Sequence, residues 1–172
     1  RGVVHVYEHS GGNWNLLTSQ QGVNAGDHFG CSVAGLNGWG ASAEVVFAVG
    51  ADHSDENGSA SGSVRVFSLA AGSELLHVAG DTAGDNLGEA IANAGDVNKD
   101  GHDDLIIGVP GYDSVGVNAG LARIYSGEDG AELLEVTPIN LPGAPPGQYF
   151  SRFGSSVVGL GRVDFDGPLH LG

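Results

Sequence analysis

The chain has 172 residues, the size of one domain, and carries 21 acidic residues against six lysines and arginines. Its formal net charge of −15 argues against nucleic acid or an anionic membrane as partner, because their phosphates would be repelled. No apolar run reaches the roughly 18 residues of a membrane span, so no membrane insertion is predicted. The 31 glycines follow no collagen period and indicate many turns between short strands.

One pattern of strands recurs along the chain. It contains an alternating strand that ends in an aromatic residue, as expected of a half-buried strand, at Val3–Tyr7, Ser63–Phe67 and Leu121–Tyr125. A glycine-containing turn and a leucine pair follow each copy, at Leu16-Leu17, Leu75-Leu76 and Leu133-Leu134. These pairs predict a further strand in each repeat.

The other two strands of the pattern follow a Phe-Gly type of dipeptide. Ala25–Gly30 recurs as Ala83–Gly88 and, more weakly, as Ser151–Gly154. The apolar runs Val45–Gly50 and Leu105–Pro110 are typical of strands buried on both faces. No segment sustains a helical period, so little or no helix is expected. The predicted fold is all-β, and each repeat of four antiparallel strands has the organisation of a β-propeller blade.

The phase of the repeats divides the chain into four segments. Residues 1–28 form a partial blade, 29–86 a complete blade, 87–152 a complete blade with an acidic loop, and 153–172 a partial blade. A closed ring usually needs at least four blades. We therefore expect about three blades that belong to a larger propeller, or edges that pair with another chain.

The acidic loop between the first two strands of segment 87–152 has the spacing of a calcium site. Carboxylate and amide oxygens fall at alternate positions, and Gly101 then permits a sharp turn. Calcium takes six to eight oxygen ligands, and alternate side chains of one loop can converge on it. We predict a Ca²⁺ site formed by Asp96, Asn98, Asp100, the backbone carbonyl of His102, and Asp104.

Other interpretations of this loop are weaker. An EF-hand needs a bidentate Glu at position 12 and flanking helices, whereas position 12 here is Ile107 in an apolar run. Magnesium prefers to keep its waters rather than enter an all-protein cage. A polar turn without metal remains an alternative, although its carboxylates would repel one another without a cation.

The equivalent loops of the other segments are poorer in ligands. Residues 35–44 lack the aspartates, so we expect no metal there. Residues 161–167 keep Asp164 and Asp166, but Arg162 stands at the first ligand position and a cation there opposes calcium.

The dipeptides and the loop together resemble FG-GAP repeats. The matching pieces are Phe29-Gly30 with Gly50–Asp52, Leu87-Gly88 with Gly108–Pro110, and Phe153-Gly154. Such repeats build the propeller of integrin α-subunits and of many bacterial and algal surface proteins. The resemblance implies a seven-bladed propeller with calcium in hairpin loops of one face and partners bound mostly at the opposite face.

These observations favour a non-enzymatic, calcium-stabilised propeller module, extracellular or at the cell surface, for adhesion or for recognition of a protein or carbohydrate. One alternative is an accessory propeller of a secreted hydrolase or lyase. Another is a structural subunit of a surface layer or fibre, joined through its blade edges.

Two further residue sets receive no site role. Asp52-His53-Ser54 has the residue types of a catalytic triad, but neighbours in one loop do not form a triad. The histidines, His28 among them, show no metal-ligand spacing along the chain. Cys31 lies in an apolar stretch and is predicted to be a small buried hydrophobe.

Overall fold

A computed structural model describes residues 1–113, 117–138 and 152–160, and every named element in these ranges is a β-strand. The all-β prediction is therefore confirmed. The strands are β1 (Val3–Ser10), β2 (Asn13–Gln21), β3 (Val33–Trp39), β4 (Glu44–Ala51), β5 (Ser63–Ser68), β6 (Glu74–Ala79), β7 (Ile91–Gly95), β8 (Asp104–Val109), β9 (Leu121–Tyr125) and β10 (Glu132–Val136). No helix in those ranges is long and apolar enough to cross a bilayer.

The described strands form three antiparallel sheets in which chain neighbours pair. Strands β1 and β2 form a hairpin; β3-β4-β5-β6 form sheet I, and β7-β8-β9-β10 form sheet II. Each four-stranded sheet is a simple meander, as expected of a propeller blade. The final predicted unit contributes Phe153, which forms an isolated parallel bridge with Gly120.

Apolar side chains of the inner strands hold the sheets together. The runs in β4 and β8 are almost wholly buried, as their unbroken hydrophobicity predicts. One core cluster joins the two four-stranded sheets and includes Leu36, Val46, Val64, Val66, Leu87, Leu105, Ile107 and Leu121. A second cluster lies on the other side of sheet I, where Phe29, Phe47 and Phe67 meet Val4 and Val6 of the hairpin.

The Phe-Gly repeats mark the junctions between sheets. Leu87, which is fully buried, forms a parallel bridge with Gly62 at the start of β5. Gly88 lies against Gly50, and a Cβ atom on Gly50 would overlap the carbonyl oxygen of Gly88. The glycines at both repeat positions therefore permit direct backbone contact between neighbouring sheets.

The prediction for Cys31 is wrong. Its thiol is exposed, because β3 begins only at Val33 and Cys31 belongs to the preceding turn. In that turn the backbone N–H of Cys31 donates to the carbonyl of His28 at 2.9 Å. Of the stretch from Phe29 to Val33, Phe29 is buried in the second core cluster, whereas Cys31 and Val33 are exposed.

Candidate functional site

The acidic loop connects β7 to β8, where the sequence places it. Gly95 ends β7 with φ of +74°, and Asp104 is the first residue of β8. Gly101 has φ of +94° and no atom within 4 Å of a Cβ position. Glycine is therefore favoured there by the backbone conformation and not by lack of space.

Asp104 fastens the loop to the rest of sheet II. Its side chain is fully buried, and one carboxylate oxygen accepts the backbone N–H of Val97 at 2.8 Å. The other oxygen accepts the N–H of Gly127 at 3.0 Å, in the turn between β9 and β10. A buried carboxylate requires such partners, so Asp104 has a fixed place at the base of the loop.

The remaining side-chain ligands bind the backbone of the loop itself. Asp96 accepts the N–H groups of Asp100 and Gly101, both at 3.0 Å. Asn98 accepts the N–H of Asp100 at 3.1 Å and donates its amide to the Asp100 carboxylate at 2.6 Å. Asp100 in turn accepts the N–H of His102 at 2.8 Å. These bonds order the loop into a tight, acidic turn.

The hydrogen bond from the Asn98 amide lowers the pKa of the Asp100 carboxyl, and the backbone N–H of His102 acts in the same direction. Both donors favour the charged form of the carboxylate. The loop therefore presents an ionised oxygen ligand of the hard kind that calcium prefers.

The predicted ligands share one loop, but their carboxylates do not meet at a point. Within the described ranges, one group of three or more His, Cys, Asp or Glu side chains has its ligand atoms within 4.8 Å of one another, and it lies elsewhere. Each loop carboxylate is instead turned toward a backbone N–H. The donor set consists of oxygen atoms, the kind of ligand that calcium prefers.

Asp103 is a residue of this loop to which the sequence assigned no role. Its carboxylate accepts the side-chain amide of Asn93 at 2.8 Å and the backbone N–H of Asn37 at 3.0 Å. Its own N–H donates to the carbonyl of Asn37 at 3.2 Å. The neighbouring His102 ring contacts the carbonyl of Gly38. The acidic loop of sheet II therefore docks onto the end of β3 in sheet I.

That docking gives residues 35–44, which span the end of β3 and the turn into β4, a role unlike that of the acidic loop. The N–H of Gly40 donates to the carbonyl of Gly127 at 2.7 Å, and Trp39 is buried in the shared core. This segment, which lacks the aspartates, is the surface that the acidic loop contacts. The third loop, residues 161–167, lies outside the described residues.

Comparison with known proteins supports the resemblance. Residues 87–125 match the FG-GAP repeat family model. The chain is 28% identical over 176 residues to integrin alpha-M of Mus musculus, covering 99% of this chain and 15% of that protein. It is 34% identical over 92 residues to integrin alpha pat-2 of Caenorhabditis elegans, covering 54% of this chain and 7% of that protein. The chain therefore carries an FG-GAP repeat with integrin α-like relatives, and it spans a small part of their length.

Proposed function

We propose that this chain is part of a calcium-stabilised, extracellular β-propeller that recognises a protein or carbohydrate ligand in adhesion. The FG-GAP match and the similarity to integrin α-chains support an adhesion-related propeller. In this proposal sheet I is the blade of residues 29–86, and sheet II is the blade of residues 87–152. Residues 1–28 and 153–172 belong to the blades on either side.

The proposed calcium site is structural, and one observation carries this interpretation. The loop is fixed at its base by Asp104 to its own sheet and along its side by Asp103 to Asn37 of sheet I. An ion bound there would screen the acidic loop and rigidify it where two sheets meet. Ligands supplied by one loop of a repeat, with no nucleophile and base among them, suit a structural ion better than chemistry.

The experiment is a thermal melt of the chain in millimolar CaCl₂ and in excess EGTA. A ligand that binds only the native state stabilises it by about 2.7 kcal/mol at a hundredfold excess over Kd. We expect a higher Tm with calcium. Coincident melting temperatures in the two buffers would disprove the structural-calcium proposal.

Two variants locate the site. Asp100→Asn should lose most of the calcium-induced shift in Tm, because it removes a carboxylate that would turn toward the ion. Its Tm in EGTA should stay close to that of the parent chain. Glu8→Gln removes one charge from the exposed end of β1 and should keep the full shift. An undiminished shift in Asp100→Asn would place the ion elsewhere.

The recognition part of the proposal has a separate test. The immobilised chain, with its calcium loop loaded, is probed with panels of extracellular-matrix proteins and of glycans. Saturable binding to one class, reduced in EGTA, supports the proposal. Absence of binding to both classes by the calcium-loaded chain counts against recognition while leaving the structural role of calcium intact.

A further inference from the structure

Two histidines from separate turns of sheet I meet at one carboxylate. His28 lies in the turn before β3, and Asp52 and His53 follow the end of β4. The Nδ1 atom of His28 is 3.3 Å from one oxygen of Asp52, and Nδ1 of His53 is 3.1 Å from the other. The two imidazole rings lie 4.1 Å apart between centroids. The ligand atoms of all three side chains fall within 4.8 Å of one another.

The carboxylate at the centre of this cluster is buried, and one of its oxygens lacks a hydrogen bond. Asp52 is 8% exposed, and its Oδ1 atom accepts no hydrogen bond. A buried charge without partners is costly unless it is paired or coordinates a metal. The imidazole of His28, whose side chain is largely exposed, lies 3.3 Å from that oxygen.

The separations match metal ligation. Zinc binds imidazole nitrogen and carboxylate oxygen at about 2.0–2.2 Å in tetrahedral geometry, which places ligand atoms roughly 3.3–3.5 Å apart. A divalent cation bound between the two imidazoles would also give the buried carboxylate its partner.

The donor types select the metal. Calcium and magnesium take oxygen ligands, whereas two imidazoles with a carboxylate suit zinc and its neighbours among the first-row transition metals. We propose that His28, Asp52 and His53 form a second metal site, for a divalent transition-metal ion such as Zn²⁺. Three protein ligands leave the fourth position open to water.

The same turn in sheet II shows that the backbone alone does not make this site. The N–H of His53 donates to the carbonyl of Asp27 at 3.3 Å, and that of Gly111 donates to the carbonyl of Asp85 at 2.9 Å. His28 and Asn86 occupy equivalent left-handed positions, with φ of 57° and 53°. Sheet II thus has the same scaffold but carries Asn86, Pro110 and Gly111 where sheet I carries the three ligands.

The site is separate from the acidic loop. It lies where β3 begins and β4 ends, whereas the acidic loop lies where β7 ends and β8 begins. The two sites therefore occupy opposite ends of their sheets. The thiol of Cys31 lies close to Asp52 and donates toward the carbonyl of Gly88 at 3.5 Å. Its sulfur is not among the ligand atoms that lie within 4.8 Å of one another, so the proposed ligand set leaves Cys31 out.

The test is calorimetric titration of ZnCl₂ into the whole chain, in a buffer with millimolar CaCl₂ to occupy the acidic loop. We expect one zinc ion per chain. His28→Asn, which copies the residue of sheet II, and His53→Ala should each weaken zinc binding at least tenfold. His9→Ala, on the exposed hairpin, and Cys31→Ser should bind as the parent chain does. Circular dichroism checks that each variant is folded.

A spectroscopic probe adds an independent readout. Co²⁺ in place of zinc should give the intense visible bands of a tetrahedral site in the parent chain, and these should be absent in His28→Asn. The proposal is overturned if the parent chain binds no zinc, or if zinc binding survives both histidine substitutions. It is equally overturned if Cys31→Ser abolishes binding, since the thiol would then be the true ligand.

Discussion

Asp103 and Asn37, 66 residues apart, exchange two hydrogen bonds across the junction of the two four-stranded sheets. The carboxylate of Asp103 accepts the N–H of Asn37, and the N–H of Asp103 donates to the carbonyl of Asn37. The same carboxylate also accepts the side-chain amide of Asn93. One side chain outside the predicted metal ligands therefore connects the acidic loop to both sheets.

Asp103→Ala should destabilise the chain by about 1–3 kcal/mol, because the N–H of Asn37 and the amide of Asn93 lose their acceptor. The measurement is urea unfolding in EGTA, so that calcium does not contribute. Asp103→Asn keeps one oxygen acceptor, so its free energy of unfolding should fall less than that of Asp103→Ala. Equal stability of Asp103→Ala and the parent chain would contradict the proposed coupling of loop and sheet.

Gly50→Ala should be among the more damaging small substitutions in the chain. The added methyl would overlap the carbonyl oxygen of Gly88 and force the sheets apart, at a cost of about 1–3 kcal/mol. Gly35→Ala is the matched control in the same sheet, since nothing lies within 4 Å of its Cβ position. Neither glycine has a positive φ, so the comparison isolates the close approach. Similar midpoints in urea for the two variants would refute this account.

Arg123→Met should destabilise the chain by about 1–3 kcal/mol. The guanidinium is buried, lies 2.6 Å from Asp81 and 3.2 Å from Glu135, and stands over the ring of Tyr112. Burial by itself lowers the pKa of Arg123, but the Asp81 carboxylate, with Tyr125 and Glu135, more than offsets this and raises the pKa above its ordinary value. Asp81 follows β6, so this ion pair joins sheet I to sheet II.

Arg65→Met provides the control for that substitution. Arg65 occupies the equivalent place in β5 and pairs with Glu56 and Glu74 at 3.3 and 3.6 Å. Its side chain is 21% exposed, against 9% for Arg123. Such pairs contribute about 0–1 kcal/mol. Chemical denaturation of both variants checks the difference, and a larger loss in Arg65→Met would show that burial does not decide the effect.

Tyr125 should make the free energy of unfolding decrease with rising pH in the alkaline range. Burial raises the pKa of its phenol, so the unfolded chain loses this proton before the folded chain does. The stability that the buried, protonated phenol contributes is fully present below the unfolded pKa of about 10 and is lost as pH rises above that value. From pH 9 to pH 11 the free energy of unfolding should therefore fall less in Tyr125→Phe than in the parent chain. Tyr7→Phe, at an exposed ring, should leave the pH dependence unchanged.

The strands were predictable because their signals are local. The unbroken apolar run in β8 reports burial directly, and the structure confirms it. The alternation in β5 predicts a half-buried strand, and this prediction is wrong. All of its residues except Arg65 are buried, because apolar clusters pack against both of its faces. The repeat then places the strands in order, since neighbouring strands of a meander pair with one another. The acidic loop was placed for the same reason, because its spacing and its flanking strands lie within one stretch of sequence.

Contacts between distant segments were not predictable in this way. His28 and His53 show no ligand spacing along the chain, and only the return of β4 beside the turn before β3 brings them to Asp52. In sequence Asp103 is one more acidic residue of the loop, whereas its partner Asn37 lies near the end of β3, in the segment that lacks aspartates. The sequence indicates which residues can form such contacts, but the fold determines which of them come together.

The parallel bridges of Gly62 with Leu87 and of Gly120 with Phe153 have a consequence for how the chain folds. Each repeat completes its third strand against the first turn of the next repeat, so no single repeat satisfies all of its own backbone contacts. Stability is then shared between nearest neighbours, and order propagates from one repeat to the next. Each bridge joins residues of adjacent repeats and not of distant ones, which limits the entropy cost of adding a repeat. We therefore expect the repeats to fold one after another along the chain, and not by simultaneous association of distant segments.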